Sequence, residues 1–257
     1  MNYRYLLQRL VLALVVIWGV SIAVFLIIQL VPGDPARVVL GVQANEENID
    51  AMRERMGLNK PVLEQYVDWV GGVVRGDFGN SLITSQSVSE QIGNRLPATV
   101  QLAFMSLLIG LCVAFPLGII SALYPNSLID IVASVISQIG VSIPDFWLGI
   151  MLILLFSLTL EILPPSGYAP LSEGVGDWLE HMILPAMTAG LISGSIQTRF
   201  IRSAMLEVLH ENYIRTAYAK GLRRLTVIRL HALPNAMITI VTIIGLQMTA
   251  LFSAVVV

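Results

Sequence analysis

The sequence predicts an all-α, polytopic membrane helical bundle, and three observations predict it. Of its 257 residues 56% are hydrophobic and 12% charged, about half the roughly 25% charge of a soluble domain, with a mean hydropathy of +0.78. Apolar stretches near the roughly 20 residues that cross a bilayer recur along the chain. The polar segments between them differ sharply in charge. A chain with so little charge cannot cover a globular surface, so its apolar excess faces lipid. One cysteine, Cys112, lies inside an apolar run, so no disulfide forms within the chain and no Cys/His metal spacing exists. His181, His210 and His231 are scattered and read as helix-end or surface residues.

The first spanning helix is Leu10–Val31. Arg4 and Arg9 precede it as they would a secretory leader, but it exceeds the 7–15 apolar residues of a leader and lacks a small-x-small cleavage site. Residues 1–31 therefore form a terminus and a retained helix. Residues 32–97 form an external, mostly helical cap. Glu46–Arg55 is polar and helix-compatible, and Val62–Val74 follows Pro61 with Tyr66 and Trp69 on a partly buried face. Gly76-Asp77-Phe78-Gly79-Asn80 reads as turns.

Residues 98–257 form the membrane core. Its first span, Ala98–Leu123, follows Arg95-Leu96-Pro97, with the proline at an early helical position. The next, Ile131–Leu160, is interrupted by Pro144 and Asp145. Its halves reach only about 20 Å each at 1.5 Å per residue, so it reads as one kinked helix. Met182–Thr198 is short, and its Thr188–Ser195 stretch of Gly and Ser suits close helix packing. Asn235–Val257 is the fifth span. It ends at Val255-Val256-Val257 without a polar flank, which leads us to expect a truncated chain.

Charge orients these spans. Seven of the 15 basic residues lie between Arg199 and His231, opposed only by Glu207 and Glu211, whereas Glu161–His181 carries four acids and no Lys or Arg. The basic segment is expected in the cytoplasm, together with the N-terminus. The 32–97 cap then falls outside.

No G-x-x-x-x-G-K-[ST] nucleotide cradle surrounds Lys60 or Lys220, and no H-E-x-x-H or G-x-S-x-G occurs. Energy for any driven step must come from a partner. Within the cytoplasmic segment 199–234, Glu207–Lys220 has helical composition and Gly221 is placed as its C′ cap. Val208, Ile214 and Ala217 share one face. Such a helix suits a groove on a partner or an anionic lipid surface. Asp145, an acid inside an apolar span, is a functional candidate by its position. It would line a pathway or cap the backbone freed by Pro144.

The stretch Tyr213–Ala236 resembles the coupling loop of binding-protein-dependent ABC permeases, in which E-A-A, three residues, Gly, nine residues and I-x-L-P follow in order. Arg215-Thr216-Ala217 stands at E-A-A, Gly221 at the Gly and His231-Ala232-Leu233-Pro234 at I-x-L-P. Val31-Pro32-Gly33-Asp34-Pro35, Gly76-Asp77-Phe78-Gly79-Asn80-Ser81, Arg95-Leu96-Pro97-Ala98-Thr99 and Ser142-Ile143-Pro144-Asp145-Phe146-Trp147-Leu148-Gly149 resemble the dipeptide/oligopeptide/nickel branch. Tyr124-Pro125-Asn126-Ser127 departs from it, replacing a basic turn.

The resemblance implies a peptide-importer permease of a bacterial or archaeal cytoplasmic (inner) membrane, with five of an expected six spanning helices present. It implies a second permease subunit, identical or not, two ATP-binding-cassette ATPases and an extracytoplasmic substrate-binding protein. ATP and Mg would be bound by the ATPase, with no cofactor and no catalytic residue in this chain, and no nucleic-acid partner. Glu211, Tyr213, Arg215, Thr216, Ala217, Ala219, Lys220 and Gly221 are the implied ATPase contact, and Asp145 the pathway residue. Nickel or another small solute is the alternative cargo. A membrane scaffold or an intramembrane enzyme are the alternatives of other classes; the latter would need a polar partner for Asp145 within the spans.

Overall fold

The computed structural model describes residues 3–30, 33–41, 44–81, 84 and 86–256. Val31, Pro32 and Val257, which belong to features singled out above, lie outside the described residues. The described residues are helical apart from loops and one isolated antiparallel bridge, Asn80 to Ser87. Contacts divide the chain into two units, Met1–Asn94 and Arg95–Val257, so the first helix groups with the cap.

In the first unit, α1 runs Tyr3–Leu30 with no buried residue. Apolar along its length and only half-buried where Ser21 and Phe25 meet Tyr66, such a helix suits lipid or another subunit. After it, Asp34 caps α2 (Pro35–Leu40) by accepting the Ala36 N–H at 3.1 Å, and Pro35 occupies the first turn, where its missing N–H is no loss. The Asp34 carboxylate also meets Arg53 of α3 (Glu46–Arg55) at 2.6 Å. The Gly-Asp-Pro motif is thus a helix start pinned to the next helix. In α4 (Val62–Val74), Tyr66 and Trp69 pack with Phe25 of α1, ring centroids 5.3–6.4 Å apart. Asp77 Oδ1 accepts the Gly79 N–H at 2.9 Å, fixing the expected turn.

α5 runs Val88–Leu123, ten residues longer at its start than the expected span. Pro97 therefore lies inside the helix rather than at its beginning. α6 (Leu128–Ser142) and α7 (Asp145–Ile153) replace the single kinked helix. With the π-helical turn Leu154–Thr159, the second limb is bent 99° from the first. The cause is local. The residue before a proline is pushed out of the α region, and Ile143 and Pro144 are both extended (φ −78°, ψ 128° and φ −63°, ψ 137°).

α8 (Val175–Leu209) packs against α6, α7 and α11 (Leu233–Val256). Among the described residues three helical stretches are long and apolar enough to cross a membrane: Tyr3–Leu30, Val88–Leu123 and Arg224–Ser253, with the bent α6–α7 pair as a fourth if counted as one span. The expected span Met182–Thr198 does not reach that composition. Its polar and small residues Gly190, Ser193, Gly194, Gln197 and Thr198 are buried in protein. A Cβ on Gly194 would stand 2.8 Å from the Gly110 carbonyl oxygen, and one on Gly110 2.9 Å from that of Gly190. Backbone meets backbone along this seam, as the Thr188–Ser195 composition predicts.

Candidate functional site

The expected helix Glu207–Lys220 is two helices. α8 continues to Leu209, the chain turns at His210–Glu211, and α9 spans Asn212–Ala219. Gly221 (φ +77°) ends α9, with its N–H on the Tyr218 carbonyl at 2.9 Å and the Leu222 N–H on that of Ala217 at 3.3 Å. These paired bonds form a Schellman stop, which needs a left-handed residue at C′. The sequence continues through α10 (Arg224–Val227) and a π-helical turn, Ile228–Ala232, into α11. That turn directly precedes Pro234, which has no N–H for the Leu230 carbonyl one α-turn back.

Ile214 and Ala217 are buried in a core with Ala122, Met205, Val227, Ile228 and Ala232. Of the eight expected contact residues, Glu211, Tyr213, Arg215, Thr216, Ala219, Lys220 and Gly221 are exposed together around this helix. Ala217 is not: at 7% exposure it belongs to the inner face, because three residues from Ile214 is almost one full turn. Among the described residues, Arg215 and Lys220 make no ion pair within the chain. Partial burial, then the charge of Glu211, hold the Tyr213 phenol above its usual range, so it stays neutral and able to donate. The exposed face thus offers two unpaired cations, a phenol and small residues.

The bend at Pro144 places Asp145 in the first turn of α7, exposed, rather than half-way along a helix. It lines an open cavity of about 560 Å³ with Leu102, Gly149, Gly167, His181 and Thr188. The His181 Nδ1–H donates to the Asp177 carbonyl at 2.8 Å, which leaves Nε2 as the ring's remaining polar position. Asp145 and His181 are the titratable groups of this lining. Position in an acidic loop gave His181 no distinction in the sequence.

A second polar cluster escaped sequence reasoning altogether. Arg202 of α8 donates from Nε and Nη2 to the two oxygens of Asp130 at 2.6 and 2.8 Å. Asp130, in the first turn of α6, is 4% exposed. It also accepts the Asn126 N–H at 2.8 Å and the Ser121 hydroxyl. Nearby, Arg224 Nη2 donates to the Leu123 carbonyl at 2.6 Å, its guanidinium 4.7 Å from the centre of the Tyr124 ring. The partners are 72 and 101 residues apart, so no local pattern announces them. The available signal was an acid at the threshold of an apolar run.

Comparison with known proteins fits this architecture. Residues 114–257 match the family described as binding-protein-dependent transport system inner membrane component, and residues 2–103 match the N-terminal region of such membrane components. A probable peptide ABC transporter permease of Sinorhizobium fredii is 37% identical over 98% of this chain and 80% of its own length. A probable D,D-dipeptide transport permease of Escherichia coli is 39% identical over 91% and 75%. An oligopeptide transport permease of Bacillus subtilis is 37% identical over 95% and 78%. With an exposed cationic helix between two bundle helices and family matches along nearly all its length, the chain belongs to the inner membrane components of binding-protein-dependent transport systems.

Proposed function

We propose that this chain is the permease subunit of an ATP-binding-cassette importer that carries peptides, and that α9 docks on a separate ATPase. The observation that carries the docking is the division of α9 into a buried face, Ile214 and Ala217, and an exposed face of Arg215, Lys220, Tyr213 and small residues. A short helix held on one side and open on the other fits a groove on a partner. Peptide cargo rests on the relatives, which are named for peptide, dipeptide and oligopeptide transport. The basic segment and the N-terminus face the cytoplasm, and the acidic 161–181 loop faces outward, where a substrate-binding protein delivers cargo. A second permease subunit completes the path, and two ATPase subunits bind ATP and Mg. When they close, α9 moves with them and the helices rock between inward- and outward-open states. Asp145 lines the path, where its carboxylate would meet a peptide's amino group.

The test uses the complete complex with Cys112→Ser. Lys220→Cys should cross-link to the ATPase and stay protected from a membrane-impermeant thiol reagent in intact cells. Asp145→Asn should lower uptake of labelled peptide by reconstituted vesicles. No cross-link to any ATPase, or labelling of Lys220→Cys from outside, would overturn the docking and the orientation. Unchanged uptake by Asp145→Asn would remove Asp145 from the path.

A further inference from the structure

We infer that Arg224, with the Asp130–Arg202 pair, is a positioning device that binds the α9–α10 segment to the end of α5, the start of α6 and α8 two turns before its end, so that force on α9 reaches the spanning helices. This rests on the docking of α9 proposed above.

The need for such a device follows from how little holds α9. It has eight residues and buries two of them. Apolar contact is non-directional, so a helix held by Ile214 and Ala217 alone would slide over its core under load. Arg224 supplies a directed bond. The last carbonyls of a helix have no intrahelical donor, and the Leu123 carbonyl at the end of α5 is such a group. Arg224, at the start of α10, fills that vacancy. A cation there is also favoured by the helix dipole, and the Tyr124 ring adds a cation–π contact. The turn that departs from the family's basic pattern thereby contributes an aromatic platform, and the cation comes from the coupling segment instead.

From Leu123 the connection passes on within a few residues. Ser121 of α5 and the Asn126 N–H of the turn both bond Asp130 of α6, which takes the two-pronged bond of Arg202 of α8. Arg202 Nε also reaches the Ser121 hydroxyl at 3.0 Å. A planar fork on a carboxylate fixes angle as well as distance. A buried ion pair adds little net stability over apolar packing; its distinctive property is this fixed geometry. The end of α5, the start of α6 and the Arg202 turn of α8 are therefore locked in one arrangement, and Arg224 fastens the coupling segment to it.

Arg224 is exposed, so its replacement leaves the core intact. In the full complex reconstituted with ATPase and binding protein, Arg224→Ala should lower peptide transported per ATP hydrolysed about tenfold. The ATPase rate should be retained, as should the Lys220→Cys cross-link. Arg224→Lys keeps a charged donor for the Leu123 carbonyl and should restore most of the ratio. Asp130→Asn should reduce the ratio in the same way in whatever complex assembles. Wild-type transport per ATP in Arg224→Ala, or transport and hydrolysis falling in proportion, would overturn the inference. A cross-link absent already in the otherwise unaltered complex would instead overturn the docking of α9.

Discussion

Gly221 and Arg224 stand three residues apart and depend on different physics. No atom lies within 4 Å of where a Gly221 Cβ would sit, so a side chain there meets no obstruction. Its φ of +77° is the constraint. A β-branched residue held in that region stores about 1–3 kcal/mol of strain, whereas Asn enters it more readily. Gly221→Val should loosen the Schellman stop, seen as faster hydrogen exchange at the Leu222 amide, and lower transport. Gly221→Asn should retain both. Equal behaviour of the two variants would show that the glycine serves something other than backbone conformation. The glycine was legible in the sequence because a helix stop is a local event written in adjacent residues. Arg224 was legible only as one charge among seven, since its partners lie a hundred residues earlier in the chain.

Among elements, α5 and α8 show how a membrane bundle spends its small residues. Gly110, Gly190 and Gly194 bring the two backbones to contact, and the Trp178 indole N–H donates to Gln101 Oε1 at 2.8 Å near the start of α8. Gly194→Ala places a methyl 2.8 Å from a backbone oxygen that no rotamer change can move. Overpacking of this kind costs about 1–3 kcal/mol. Thermal unfolding of the purified protein in detergent should show the loss for Gly194→Ala, and none for Gly176→Ala, where the space is open. An unchanged midpoint for Gly194→Ala would mean the seam relaxes freely. Helix existence was readable at this scale, and Glu46–Arg55 and Val62–Val74 agree with the sequence at both ends. Two things were not. α8 looked like a weak span because hydropathy counts polar residues without knowing that Gln197 and Thr198 are buried against protein. The break between α8 and α9 was missed because His210 and Glu211 carry no strong breaker signal.

At the scale of the molecule, composition and charge determine that the chain is a membrane bundle, and the ordered motifs tie it to its family. They leave its internal angles open. Pro144 marks an interruption in any reading of the sequence, but the 99° turn depends on how both limbs lie on α8. That turn has a consequence for how the protein is made. Each limb is 15 residues, Leu128–Ser142 and Asp145–Thr159, short of the roughly 20 that insert as a span. At the elbow the backbone also leaves hydrogen-bonding groups that lipid cannot satisfy. A chain that has reached only the end of this pair carries α1 and α5 as spans but lacks the helix on which both limbs lie. Both limbs await α8, which packs against each of them. A thiol at Ser137→Cys, a buried position of α6, with Cys112→Ser, should remain open to a water-soluble reagent in nascent chains ending at Thr159 and become shielded in chains that reach Leu209. Shielding at both lengths would show that the pair inserts unaided. In this part of the bundle the order of synthesis is then also the order of burial, α8 covering the pair made before it and α11 packing in turn on α8.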